Sequence, residues 1–306
     1  MTLELRGDVA LPPHERGGFD HADVHPPTGR VFVAHTALGQ VEIIDGTAGT
    51  HAGAVPGCPE ASGVLYAPEA GWMVAAARGT GDILILEAAS GTLVRTLVVG
   101  ARPNGMAWDS GRQRLLVADV GDNQARLVDP TSGSVLATTA LPGRPRWCLY
   151  DRADDRFLVN ISDPAHVVAL AAGTGALTGE MPVAHAGPHG LALDEAAGLL
   201  FVACDSGDLA VLDRESGRPR ADAVPLAGPP DVLWLNPSRQ RLYVAIGQPG
   251  VVQVVNTQTM TLVETVPTED GAHTLTFDES RQRLYVFLPR SGCAAIYAEA
   301  PDEQPR

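Results

Sequence analysis

In the stretch PHGLALDEAAGLLFVACDSGDLAVLDRESG (188–217), short apolar runs alternate with turn residues, and PDVLWLNPSRQRLYVAIGQPGVVQVVNTQT (230–259) repeats the layout position by position. Extending the match in both directions gives seven copies, whose turns begin at His25, Ala67, Asp109, Asp151, Asp194, Asn236 and Asp278. The spacing is 42 residues throughout except for one step of 43. A fixed period in this range marks a propeller or a solenoid. Within one copy the runs GLALD, LLFVAC, LAVLD and ADAVPL are each short enough for a strand, and the segments between them are rich in Gly, Asp and Ser. That pattern predicts a four-stranded antiparallel meander. No window sustains the i, i+3, i+4 apolar spacing of a helix without a Gly or Pro interrupting it.

Seven such sheets around an axis form an all-β, seven-bladed β-propeller. After RLYVFL the last copy supplies one more convincing strand, CAAIYAEA, followed by the polar tail PDEQPR. Its missing outer strand is expected from the other end of the chain, LELRGDVAL at 3–11, which would close the ring and remove an open sheet edge. Seven repeats use nearly all of the 306 residues, so a single propeller domain, 1–306, is expected.

RLYVAIGQPGVVQVVNTQT (241–259) resembles the repeat of the YVTN family of bacterial seven-bladed propellers: a Tyr-Val strand, a short loop, a Val-rich strand and an Asn-x-x-Thr turn. The resemblance runs through all seven copies, more loosely at LLVAD, FLVNI and MVAAA. It implies the fold and no particular chemistry, because function resides in sites placed on folds. Trp108-Asp109 ends a first strand rather than a third, which sets the WD40 repeat aside.

Composition removes several functions. The net charge is −14, and an acidic surface repels phosphate backbones and anionic lipid, so neither nucleic acid nor a membrane is an expected partner. The chain contains no lysine, which excludes a lysine Schiff base and a Walker lysine. GTGALTG from Gly173 is read as a turn, and no nucleotide cofactor is expected. The amino terminus carries Glu4, Arg6 and Asp8 where a secretory signal needs an apolar run, which predicts a cytoplasmic protein. Cys58, Cys148, Cys204 and Cys293 share no CxxC spacing and sit at different places in the repeat, so four free thiols are expected.

Five residues before each turn, at the start of the innermost strand, the copies hold Asp20, Ser62, Asn104, Arg146, His189, Asp231 and His273, none of them apolar. Fifteen residues further on, at the end of the second strand, stand His35, Ala77, Asp119, Ile161, Cys204, Ile246 and Leu288. Antiparallel pairing brings both sets to one mouth of the channel. On a closed ring His189, Asp231, His273 and Asp20 fall in consecutive blades, while Arg146 stands on the other arc with Arg102 and Arg144 upstream of Asn104 and Arg146.

Two imidazoles and two carboxylates suit general acid–base work, and by donor type they also suit a divalent metal such as Zn, Mn or Fe. The expected assignment makes His189, His273 and Asp231 catalytic. His189, His273, Asp231, Asp20 and His21 are the candidate metal ligands, and Arg146, Asn104, His35 and Ser62 the substrate contacts. The bland alternative is a wet rim on which any polar residue is comfortable. These residues sit at strand starts rather than on long decorated loops, which favours a small polar or anionic ligand in the central channel. A lyase or hydrolase is the leading expectation, a non-catalytic binding or protein-interaction scaffold the alternative. Gluconolactonase-like enzymes are disfavoured, having six blades and an acid/amide calcium set.

Overall fold

A computed structural model describes residues 3–15 and 17–299; the polar tail expected at the carboxyl end lies outside them. Seven four-stranded antiparallel sheets follow the repeat. The first blade is Ala22–His25, Arg30–His35, Gln40–Asp45 and Thr50–Pro56, with each later blade offset by one period. The seventh is Thr274–Asp278, Arg283–Leu288 and Cys293–Glu299, and its fourth strand is Leu3–Ala10, paired antiparallel to Cys293–Glu299. The ring therefore closes with the amino-terminal strand on the outside of the last blade, as the sequence predicts. The other regular structure among the described residues is two single 3₁₀ turns, Pro68–Ala70 and Pro237–Arg239; no helix there is long and apolar enough to cross a membrane.

The core lies between the blades. The middle strands carry apolar residues on both faces because each sheet is covered on both sides by its neighbours. Phe32, Val41, Met73 and Leu84 fill the space between blades 1 and 2, and Tyr243, Val252, Phe277 and Leu284 that between blades 6 and 7. The outer strands read mostly exposed. The turn acids that mark the repeat are buried staples: the Asp109 carboxylate accepts the Gly111 and Arg112 N–H groups, and Asp151 binds Arg156 of its own blade and Arg214 of the next. All four cysteines are free.

One outer strand departs from expectation. ADAVPL, read as the fourth strand of blade 5, pairs only over Val224–Pro225, with a lone bridge from Leu212 to Pro219 beside it. Pro219 and Pro225 lack the N–H that a ladder needs.

Candidate functional site

The position five residues before the turn is a bulge in blades 1 to 6. In blades 2 to 5 the pairing of first and second strands slips at this point, between Ala61 and Val64 and again between Pro188 and Leu191. In blades 1 and 6 the same irregularity appears as a backbone bracket, with Asp231 N–H bonded to Ala245 O and Ala245 N–H to Val232 O. A bulge re-aims its side chain, and here it turns alternate residues toward the axis.

His189, Asp231 and His273 come together as the ring argument requires. One Asp231 oxygen lies 3.0 Å from His189 Nε2 and the other 2.9 Å from His273 Nδ1. His189 Nδ1 is 2.9 Å from Asp205 Oδ1, so both nitrogens of this ring face carboxylates. Burial alone would lower the His189 pKa, but the Asp231 charge and the hydrogen bonds to Asp205 and Asp231 outweigh it and hold the ring up at about 9. His273 is raised as well: burial opposes the shift, Asp231 drives it, and Asp20 adds to it. Desolvation would raise the Asp231 pKa, yet the two imidazoles hold it well below the usual carboxylate range. These residues form a chain in which one carboxylate bridges two imidazoles and favours the charged form of each. His273 Nε2 is left without a partner among the described residues.

The other arc is cationic. Arg146 Nη1 lies 3.4 Å from His189 Nε2, and its Nη2 is 3.7 Å from Asp205. Arg78 donates to Asn104 Oδ1 at 3.0 Å and approaches Asp20 at 3.7 Å and Glu60 at 3.5 Å. Arg102 also pairs with Glu60. Arg144 is exposed, and its pKa is lowered first by Arg146, then by burial and Arg78. Guanidinium groups this close repel one another and favour a bound anion.

Several expected contacts go elsewhere. His35 is fully buried, bonded through Nδ1 to Glu42 and through Nε2 to His14, and so stays away from the mouth. Ser62 is also fully buried, with Oγ donating to Pro103 O across the blade junction. Asp119 is a turn staple holding Arg102 N–H and the Arg126 guanidinium. For His35 and Asp119 the reason is alternation along the strand: the set fifteen residues after the ring points between blades, and the next residue points to the mouth. That next position holds Arg78 in blade 2 and Asp205 in blade 5, neither of them anticipated. Side-chain period two was the signal that would have found them.

The residue following the ring position is glycine in three blades. A Cβ there would meet the carbonyl oxygen of the next blade's ring residue, at 2.3 Å for Gly63 against Asn104, 2.4 Å for Gly105 against Arg146 and 2.3 Å for Gly190 against Asp231. His21 and Trp147 take that place in blades 1 and 4. Their rings stack 4.2 Å apart at 35°. Blades 1 and 4 are not neighbours, so this pair spans the axis and forms a septum across the channel. His21, expected as a metal ligand, is instead buried in the septum with the Asp20 carboxylate beside Nδ1.

Among the described residues no three His, Cys, Asp or Glu side chains are grouped to hold a metal ion.

No family model matches the chain, and no curated protein matches it significantly. Among solved structures it is similar to Kuenenia stuttgartiensis hydrazine synthase, with a TM-score of 0.83 at 12% identity, over 95% of this chain and 98% of that one. What the two share is the fold. At this identity the likeness establishes a seven-bladed propeller and carries nothing of the site.

Proposed function

We propose that the polar mouth binds a small anionic molecule and acts on it by acid–base chemistry, as a lyase or hydrolase. The observation that carries this reading is the Asp231 bridge. It orients His273 through Nδ1 and stabilises its charged form, leaving Nε2 free to donate a proton to a departing group, which is the logic of a carboxylate-oriented histidine. His189, held between two carboxylates, stays protonated and serves as a fixed positive charge. Arg146 and Arg144 supply the anion contacts, and Arg78 with Asn104 closes that arc. A divalent metal has no step in this scheme. Membership of the YVTN-repeat family and a cytoplasmic location belong to the same proposal, supported by the repeat pattern and by the four free cysteines. The −14 net charge supports a small ligand over nucleic acid.

Calorimetric titration with inorganic phosphate and with malonate tests the anion site. Saturable binding is expected, lost in an Arg144→Ala/Arg146→Ala double variant and weakened as pH rises through about 9, where His189 gives up its proton. No binding of either anion would overturn the proposal. Binding without turnover in assays of anionic esters and β-eliminating substrates would leave a receptor rather than an enzyme. A stoichiometric metal found by elemental analysis would replace the metal-free scheme.

A further inference from the structure

Beyond the septum the channel widens into a cavity of about 630 Å³ that opens on the opposite mouth. Its walls are the innermost strands past the bulge, and its rim is formed by the turns joining first and second strands. Three of the chain's four tryptophans, Trp108, Trp147 and Trp234, line it, together with Tyr66 and Tyr150. Leucines from blades 2, 4, 5 and 6 and Met106 fill the spaces between the rings. Ring-facing surface on this scale in a chain with 5% aromatic residues is a concentrated binding wall rather than ordinary core, since four of the five rings retain partial exposure.

The charge of the lining is negative. Asp23, Glu69, Glu195 and Glu279 contribute carboxylates, against one guanidinium, Arg152, and the septum's His21. None of the four makes an ion pair among the described residues. Asp23 accepts the Val24 and Tyr66 backbone N–H groups, each at 2.7 Å, which fixes its carboxylate in the wall beside Tyr66. Glu69 accepts the Trp108 indole N–H at 2.9 Å, tying a second carboxylate to the edge of an aromatic ring. Aromatic faces and unpaired carboxylates around one apolar hollow are the two attractions that an organic cation answers together. An anion would be repelled by this rim. A purely apolar molecule would leave the carboxylates without a role.

We infer that this second compartment is a binding site for a small organic cation with an apolar body, such as a quaternary or tertiary amine. Its ligand enters from the mouth opposite the arginines, and the His21–Trp147 septum keeps the two sites apart. The site stands independently of the acid–base reading, because it shares no charged group with the His189, Asp231 and His273 cluster.

The test is a titration of tryptophan fluorescence with benzyltrimethylammonium chloride and, separately, with its neutral carbon isostere, neopentylbenzene. Saturable quenching by the cation is expected, with the neutral isostere binding at least tenfold more weakly and the cation losing affinity as salt is added. A Glu69→Gln/Glu195→Gln variant, altered only on the exposed rim, should remove most of that discrimination while its circular dichroism stays unchanged. Trp234→Leu should weaken the cation severalfold. Equal binding of cation and isostere would show an apolar pocket without charge recognition and overturn the inference. No quenching by the cation, or binding indifferent to all three substitutions, would overturn it as well.

Discussion

At one end of the channel Asp231 lies between two imidazoles, with Arg144 and Arg146 close by; at the other Tyr66, Tyr150 and Trp234 surround a hollow rimmed by Glu69, Glu195 and Glu279. The same seven inner strands build both ends. The difference arises at the bulge: before it, side chains are aimed at water and held by charge, and after it they wall a cavity and are held by burial. Stability at the first mouth should fall as pH rises through about 9, where His189 titrates; at the second, burial pushes the Asp23 carboxyl up to about 6, so its pH dependence is confined to acid, below the range in which the first mouth changes.

The largest expected effect falls on the frame shared by both mouths. Removing residues 3–10 takes away the outer strand of blade 7, where Leu3 and Val9 are each only 3% exposed, and leaves an open edge on Cys293–Glu299. Loss of cooperative unfolding or outright aggregation should follow, read by calorimetry and size-exclusion chromatography. A truncated protein melting like the parent would show that the ring does not depend on this strand.

The next largest effect separates the mouths. His189 has a folded pKa near 9 against an ordinary value of about 6.5, so its contribution is complete below about pH 6.5 and disappears as pH rises through 9. Asp231 is held low, so its contribution is present above about pH 4 and lost only in stronger acid. These are two views of one interaction, worth at most about 3 kcal/mol because both side chains keep some solvent contact. Asp231→Ala should therefore destabilise by about 2–3 kcal/mol at pH 6 and much less at pH 10, with the His189 imidazole titrating by NMR nearer its ordinary value. Trp234→Ala, at the other mouth, should lose about 1–2 kcal/mol equally at both pH values, in melting curves recorded on the same samples. Matching pH profiles for the two variants would erase the proposed contrast.

Opening the septum gives a smaller change in stability but a sharper optical signal. In Trp147→Ala, iodide drawn to the arginine mouth should reach Trp234 from behind and quench the remaining fluorescence severalfold more than in the parent. Unchanged quenching would mean that the channel stays closed without this ring. The smallest effect belongs to Arg144→Ala, which should alter stability by no more than about 0.5 kcal/mol while weakening phosphate binding about tenfold.

Much of this architecture was legible in the residues. The period of 42, the turn acids and the unpaired last copy specify seven blades and their closure, because turn chemistry and strand alternation are local and recur. The meeting of His189, Asp231 and His273 was legible for the same reason, since equivalent positions of a radial repeat point to a common axis. Reading the second set one residue early hid Arg78 and Asp205 and misplaced His35, because a single step along a strand exchanges the channel for the blade interface.

Sequence determined which residues stand at equivalent positions of the ring. Tertiary structure decided which of them touch across it. Trp147 reads as one more aromatic residue in an inner strand until closure of the ring brings it against His21 from a blade that is not its neighbour. The hollow beyond them has no signature along the chain, because its rings and carboxylates come from separate copies, and only the radius of a seven-membered ring sets the space between them.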